Sequence, residues 1–71
     1  MLASTIRVTV NGETRDLPGG LSLLDLLRRF ELDPRAVVVE LNREIVRRPS
    51  LEHTAVQHGD AVELVHFVGG G

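Results

Sequence analysis

From Thr5 to Val10 apolar and polar residues alternate without a break. Ile6, Val8 and Val10 fall on one side of an extended chain, and Thr5, Arg7 and Thr9 on the other. A period of two over this length predicts a half-buried strand. Asn11-Gly12 follows, the dipeptide best suited to a two-residue type I′ hairpin because both positions take positive φ. Glu13 to Leu17 then returns as a second strand, broken by Pro18-Gly19-Gly20. The period changes next. Leu23, Leu26, Leu27 and Phe30 stand at i, i+3, i+4 and i+7, the single apolar stripe of an amphipathic helix. Ser22 is a good N-cap, Asp25 sits three residues on at the positive end of the helix dipole, and Leu21 is placed to staple to Leu26. Pro34 disfavours α geometry at Asp33, so the helix is expected to end at Glu31 or Leu32.

Ala36 to Leu41 reads as a third strand, and its density of valine predicts a central place in the sheet. Asn42-Arg43-Glu44 reads as a tight turn into a short strand at Ile45-Val46. Pro49 to His53 is expected as a loop or a single helical turn. His58-Gly59-Asp60 turns the chain into a last strand over residues 61 to 67. The sum is an α+β fold in which a mixed sheet of four to five strands packs on one helix. The helix crosses over from the first hairpin and covers one face, leaving the other open. If Val62 and Leu64 face the helix, Val65 and Phe67 face outward, with Val38 beside them from the third strand. Such a cluster reads as a docking patch.

Composition narrows the chemistry. The chain has 71 residues, enough for one small domain with a single core. With no cysteine it has no disulfide, thiolate metal site or nucleophilic thiol. Net charge is −2, all eight basic residues are arginine, and Phe30 and Phe67 are the only aromatics. That balance speaks against nucleic acid, which calls for a basic stripe and stacking platforms. Arg47-Arg48-Pro49 reads as a solvated turn rather than a phosphate site. No apolar run reaches the length of a membrane span, and Met1-Leu2-Ala3-Ser4 leads into a strand with no signal peptide, so the expected compartment is cytoplasmic. His53, His58 and His66 have neither zinc-ligand spacing nor a nucleophile to serve. The carboxylates are scattered among arginines and form no acid–base pair. Gly19-Gly20 precedes a helix but lacks the spacing of a phosphate loop.

One chemical group remains. Gly69, Gly70 and Gly71 follow directly on the apolar run from Ala61 to Val68 without a spacer, and a terminal glycine run costs backbone entropy while burying nothing. It does form a thin peptide that passes a channel too narrow for any Cβ. Residues 1–67 are therefore read as the folded domain and residues 68–71 as a flexible reactive tail. Four residues reach at most about 14 Å. A carboxylate at Gly71 is able to attack the α-phosphate of ATP and form an acyl-adenylate, which sulfide then converts to a thiocarboxylate. The Mg-ATP site for that step belongs to a partner, and the chain is expected to bind no cofactor of its own.

These features resemble a known family, the ubiquitin-like β-grasp sulfur carriers, and most closely the ThiS carriers of thiamine biosynthesis. The resemblance runs over essentially the whole chain: Val10-Asn11-Gly12, the helix opening Leu21 to Leu27, Val37-Val38-Val39-Glu40-Leu41-Asn42 leading to Glu44-Ile45-Val46, and His58-Gly59-Asp60. The ending Val65-His66-Phe67-Val68-Gly69-Gly70-Gly71 is its most particular element. One loop departs, with Arg47-Arg48-Pro49 where family members often carry Pro-Arg and then a tryptophan. The resemblance implies a protein cosubstrate rather than an enzyme. It implies adenylation of Gly71 by an E1-like adenylyltransferase, sulfur from a donor such as a cysteine desulfurase or rhodanese-type protein, and delivery to thiazole synthase. Val68, Gly69 and Gly70 are the residues a partner would recognise in the tail, and Val38, Val65 and Phe67 the docking patch. Two other readings share these features: a carrier of the molybdopterin synthase small-subunit type, and a ubiquitin-like protein modifier or an unreactive β-grasp binding module.

Overall fold

The computed structural model describes residues 4–67. Five strands form one mixed sheet: β1 (Thr5–Val10), β2 (Glu13–Pro18), β3 (Val37–Leu41), β4 (Glu44–Val46) and β5 (Ala61–His66), in the spatial order β2-β1-β5-β3-β4. One helix, α1 (Leu23–Arg29), lies between β2 and β3 in sequence. Strand β1 pairs antiparallel with β2 and parallel with β5, and β3 pairs antiparallel with both β5 and β4. The outermost chains are therefore β2 and β4, and the centre belongs to β5. The valine-rich β3 is interior but not central, because the last strand inserts between β1 and β3.

The hairpin and helix-cap signals have their structural counterparts. Asn11 and Gly12 take φ of 51° and 81°, the left-handed pair a type I′ turn requires. Asn42 and Arg43 repeat the arrangement at 52° and 74° between β3 and β4. Ser22 caps α1 in a complete capping box: its hydroxyl accepts the Asp25 amide, and the Asp25 carboxylate accepts the Ser22 amide, both at 3.0 Å. The Ser22 amide first, and then the Ser22 side chain, hold the Asp25 carboxyl below the ordinary carboxylate value.

The helix closes earlier than Pro34 alone would dictate. Glu31 sits at φ 60°, its amide donates to the Arg28 carbonyl, and the Leu32 amide donates to that of Leu27. This is a Schellman ending, with glutamate in the place glycine usually holds. Asp33 then caps a 3₁₀ turn, Pro34–Ala36, which delays the start of β3 to Val37. Residues 48–53 form a second, longer 3₁₀ segment whose Leu51 is buried. The core lies between α1 and the inner sheet face. Leu23, Leu26 and Leu27 meet Val8, Val10, Val39, Val62 and Leu64 there, and all are buried.

Candidate functional site

Strand β5 leads toward Gly69, Gly70 and Gly71, to which the sequence assigns the candidate site. Both its flanks are tied by asparagine side chains. On the β1 side the parallel ladder covers only Thr9↔Ala61 and Val10↔Val62 before the chain turns away at Asn11. The Asn11 amide donates to the Val62 carbonyl at 2.9 Å, and the Leu64 amide donates to Asn11 Oδ1 at 2.7 Å. The side chain thus supplies the acceptor that the absent continuation of β1 would have supplied. On the β3 side, Asn42 Oδ1 accepts the Ala61 amide and Asn42 Nδ2 donates to Asp60 Oδ1. Asp60 Oδ2 in turn accepts the Gln57 amide at 2.8 Å. Gly59 takes φ of 90°, so the Gly-Asp pair joins a backbone turn to a carboxylate clamp at the entry of β5.

At its other end β5 continues against β3 alone. Val38 lies opposite Val65 and Val37 opposite His66, and the Phe67 amide donates to the Ala36 carbonyl at 3.0 Å. The described chain is hydrogen-bonded to the sheet through Phe67. Val68, Gly69, Gly70 and Gly71, to which the sequence assigns the tail and its chemistry, lie outside the described residues.

The pleat follows the parity read from the sequence. Val62 and Leu64 are buried toward α1, whereas Val65 is 53% exposed and Phe67 60%. Val38 is half-buried beside Val65. Ile45, which sequence reasoning leaves out of the patch, is 66% exposed. It stands opposite Glu40, so it shares the outer face with Val38, which is also on β3. The signal is present in the Asn42-Arg43 pair: a two-residue turn fixes Leu41↔Glu44 and so points Ile45 outward. Farther across the same face, on β1 and β2, the character is polar. Arg7 Nε donates to Asp16 Oδ1 at 2.9 Å, and this bond, together with the guanidinium charge, holds the Asp16 carboxyl below its ordinary value.

His53, His58 and His66 are exposed and far apart in role. His58 Nδ1 accepts the Arg7 amide at 3.0 Å, a structural contact that prolongs the β1–β5 pairing. Among the described residues no cluster of three or more metal-ligating side chains occurs, and no helix is long and apolar enough to cross a membrane.

The comparisons with known proteins agree with this fold. The model of the ThiS family matches residues 8–71. The sulfur carrier protein ThiS of Bacillus subtilis is 38% identical over 50 residues, covering 70% of this chain and 76% of that one. A thiazole synthase of Paramagnetospirillum magneticum is 39% identical over 66 residues, which are 93% of this chain but 20% of that protein. The chain spans about a fifth of the length of the thiazole synthases it matches. The crystal structure of the thiamine biosynthesis protein ThiS from Geobacter metallireducens superposes with a TM-score of 0.80 at 38% identity, over 93% of this chain and all of that one. A mixed five-stranded sheet on one helix is thus the ubiquitin-like β-grasp that this structure shares. With the matched region running from β1 through the terminal glycines, the chain belongs to the ThiS family.

Proposed function

We propose that the chain is a sulfur carrier of thiamine biosynthesis, a protein cosubstrate whose reactive atoms are those of the Gly71 carboxylate. An E1-like adenylyltransferase supplies the Mg-ATP site. The carboxylate attacks the α-phosphorus, pyrophosphate leaves, and an acyl-adenylate forms. The terminal sulfur of a donor persulfide, carried by a cysteine desulfurase or rhodanese-type protein, then attacks the acyl carbon and displaces AMP. A second thiol cleaves the resulting acyl disulfide, leaving the Gly71 thiocarboxylate and a disulfide on the donor side. Thiazole synthase consumes that sulfur, a partnership favoured by the thiazole synthases that contain a region similar to this chain.

The observation that carries the reading is the anchoring of β5. The strand is bonded on both flanks and held to the sheet as far as Phe67. Beyond Phe67 come Val68 and three glycines, a segment short and narrow enough to enter a partner's active site. Val38, Val65, Phe67 and Ile45 form the docking patch beside that point, and Val68, Gly69 and Gly70 are the tail residues the partner reads.

The test separates tail from body. Adding one residue after Gly71, or replacing Gly70 by tryptophan, abolishes ATP–pyrophosphate exchange by the adenylating partner while the melting temperature stays where it was. Normal exchange by either variant contradicts the reading. A large loss of stability assigns the tail a structural part instead.

A further inference from the structure

The outer sheet face holds two carboxylates in a place that neither packing nor pairing explains. Glu40 on β3 lies directly opposite Glu63 on β5, and on its other side opposite Ile45 on β4. Ile45, Glu40 and Glu63 therefore form one row across the sheet. The next outward-facing row holds Val38 opposite Val65, and Phe67 lies beyond it. Like charges directly opposite on antiparallel strands destabilise the pair. Among the described residues the ion pairs are Arg7–Asp16, Arg15–Glu13, Arg35–Asp33 and the contact of His53 with Glu52, so neither Glu40 nor Glu63 is neutralised within that part of the chain.

The rows make the carboxylates inseparable from the apolar patch. A surface that covers both Ile45 and Val65 must also cover Glu40 and Glu63, which lie between and beside them. Removing two unpaired carboxylates from water is strongly unfavourable unless a cation with matching donors meets them. A guanidinium answers this best, since its fork of N–H groups spans two carboxylates and it is less strongly hydrated than an ammonium.

We propose that the docking face recognises thiazole synthase through an apolar surface bearing an arginine that seats between Glu40 and Glu63. This rests on the docking patch and the partnership proposed above. It assigns the acidic pair a part in recognition: electrostatically unfavourable in the free chain, it becomes the polar anchor of the complex and selects the partner by charge.

The experiment measures the affinity of the chain for the thiazole synthase of the same genome, at low and high salt, alongside thermal stability. The Glu40→Gln/Glu63→Gln double variant is expected to melt at or above the temperature of the unmodified chain, yet to bind about tenfold or more weaker, with a flatter salt dependence. Ile45→Ala is expected to weaken binding and leave the salt dependence unchanged. If Ile45→Ala weakens binding but the double variant binds as tightly as the original with the same salt response, the arginine anchor is wrong and the patch stands. If Ile45→Ala binds normally, or the unmodified chain does not bind, the docking reading itself falls and the anchor with it.

Discussion

Asn11 is placed to do two jobs, and substitution separates them. Its backbone occupies the left-handed region at φ 51°, and its Oδ1 receives the Leu64 amide at 2.7 Å inside a partly buried stretch of β5. Asn11→Ala loses both. Forcing alanine into left-handed geometry costs about 1 kcal/mol more than asparagine. Leaving the Leu64 N–H without a partner costs about 1–3 kcal/mol. The expected sum is about 2–4 kcal/mol, a large share of the roughly 4–10 kcal/mol available to a domain of this size. Asn11→Gly relieves the backbone and keeps only the second loss, about 1–3 kcal/mol. Asn11→Asp tolerates the geometry, retains an acceptor, and should stay within about 0.5 kcal/mol of the original.

Urea unfolding reads these differences. With a slope of about 1 kcal/mol per molar, the alanine midpoint falls by about 2 M or more. Hydrogen exchange adds a local readout, since the Leu64 amide should lose protection relative to its neighbours in the alanine and glycine variants alone. A glycine variant as stable as the original would show that the turn is the residue's whole contribution and that the Leu64 bond adds nothing.

The Schellman ending gives a prediction of opposite sign: Glu31→Gly, at φ 60°, should stabilise by about 1 kcal/mol and raise the melting temperature by about 4–8 °C. An unchanged or lower melting temperature would show that the glutamate side chain offsets its backbone strain. Acid should weaken the fold in a defined window. Asp16 is held below its ordinary 3.8 by hydrogen bond and charge from Arg7, Asp25 by the Ser22 amide and hydroxyl, and Asp33 by the Arg35 side chain and amide. The unfolded chain binds these protons first, so their contribution is complete above 3.8 and is lost as pH falls through the lowered folded values. Unfolding midpoints should be flat above about pH 5 and drop below about pH 4, less steeply in high salt because all three groups are exposed. A midpoint constant down to about pH 2 would contradict the assignment.

Much of this architecture is legible along the chain because local rules and tertiary structure agree. The alternation of Ile6, Val8 and Val10, the Asn-Gly turn, the Ser22–Asp25 cap and the leucine stripe of α1 each act within a few residues. The parity that exposes Val65 and Phe67 follows from the period of a strand. The features that stay hidden depend on distant partners. Nothing local to Val37, Val38 and Val39 says that β5 inserts beside β1 and takes the centre. Pro34 accounts for a helix stop, whereas Glu31 ends the helix sooner by accepting a conformation rare for its type. Asn11 and Asn42 read as turn residues only, since their second role needs β5 alongside. Ile45 escapes notice because its orientation depends on the register of a three-residue strand. The Glu40–Glu63 pair is invisible until β3 and β5 are set side by side.

Sulfur transfer, as proposed, turns on a single oxygen of the Gly71 carboxylate. The most direct measurement is the intact mass of the chain after incubation with the adenylating partner, Mg-ATP and a sulfur donor, with fragmentation to locate any change. The expected result is a gain equal to exchange of one oxygen for sulfur, placed at Gly71 and missing from a chain that ends at Gly70. An unchanged mass with an active partner, or a gain located anywhere else, would contradict it.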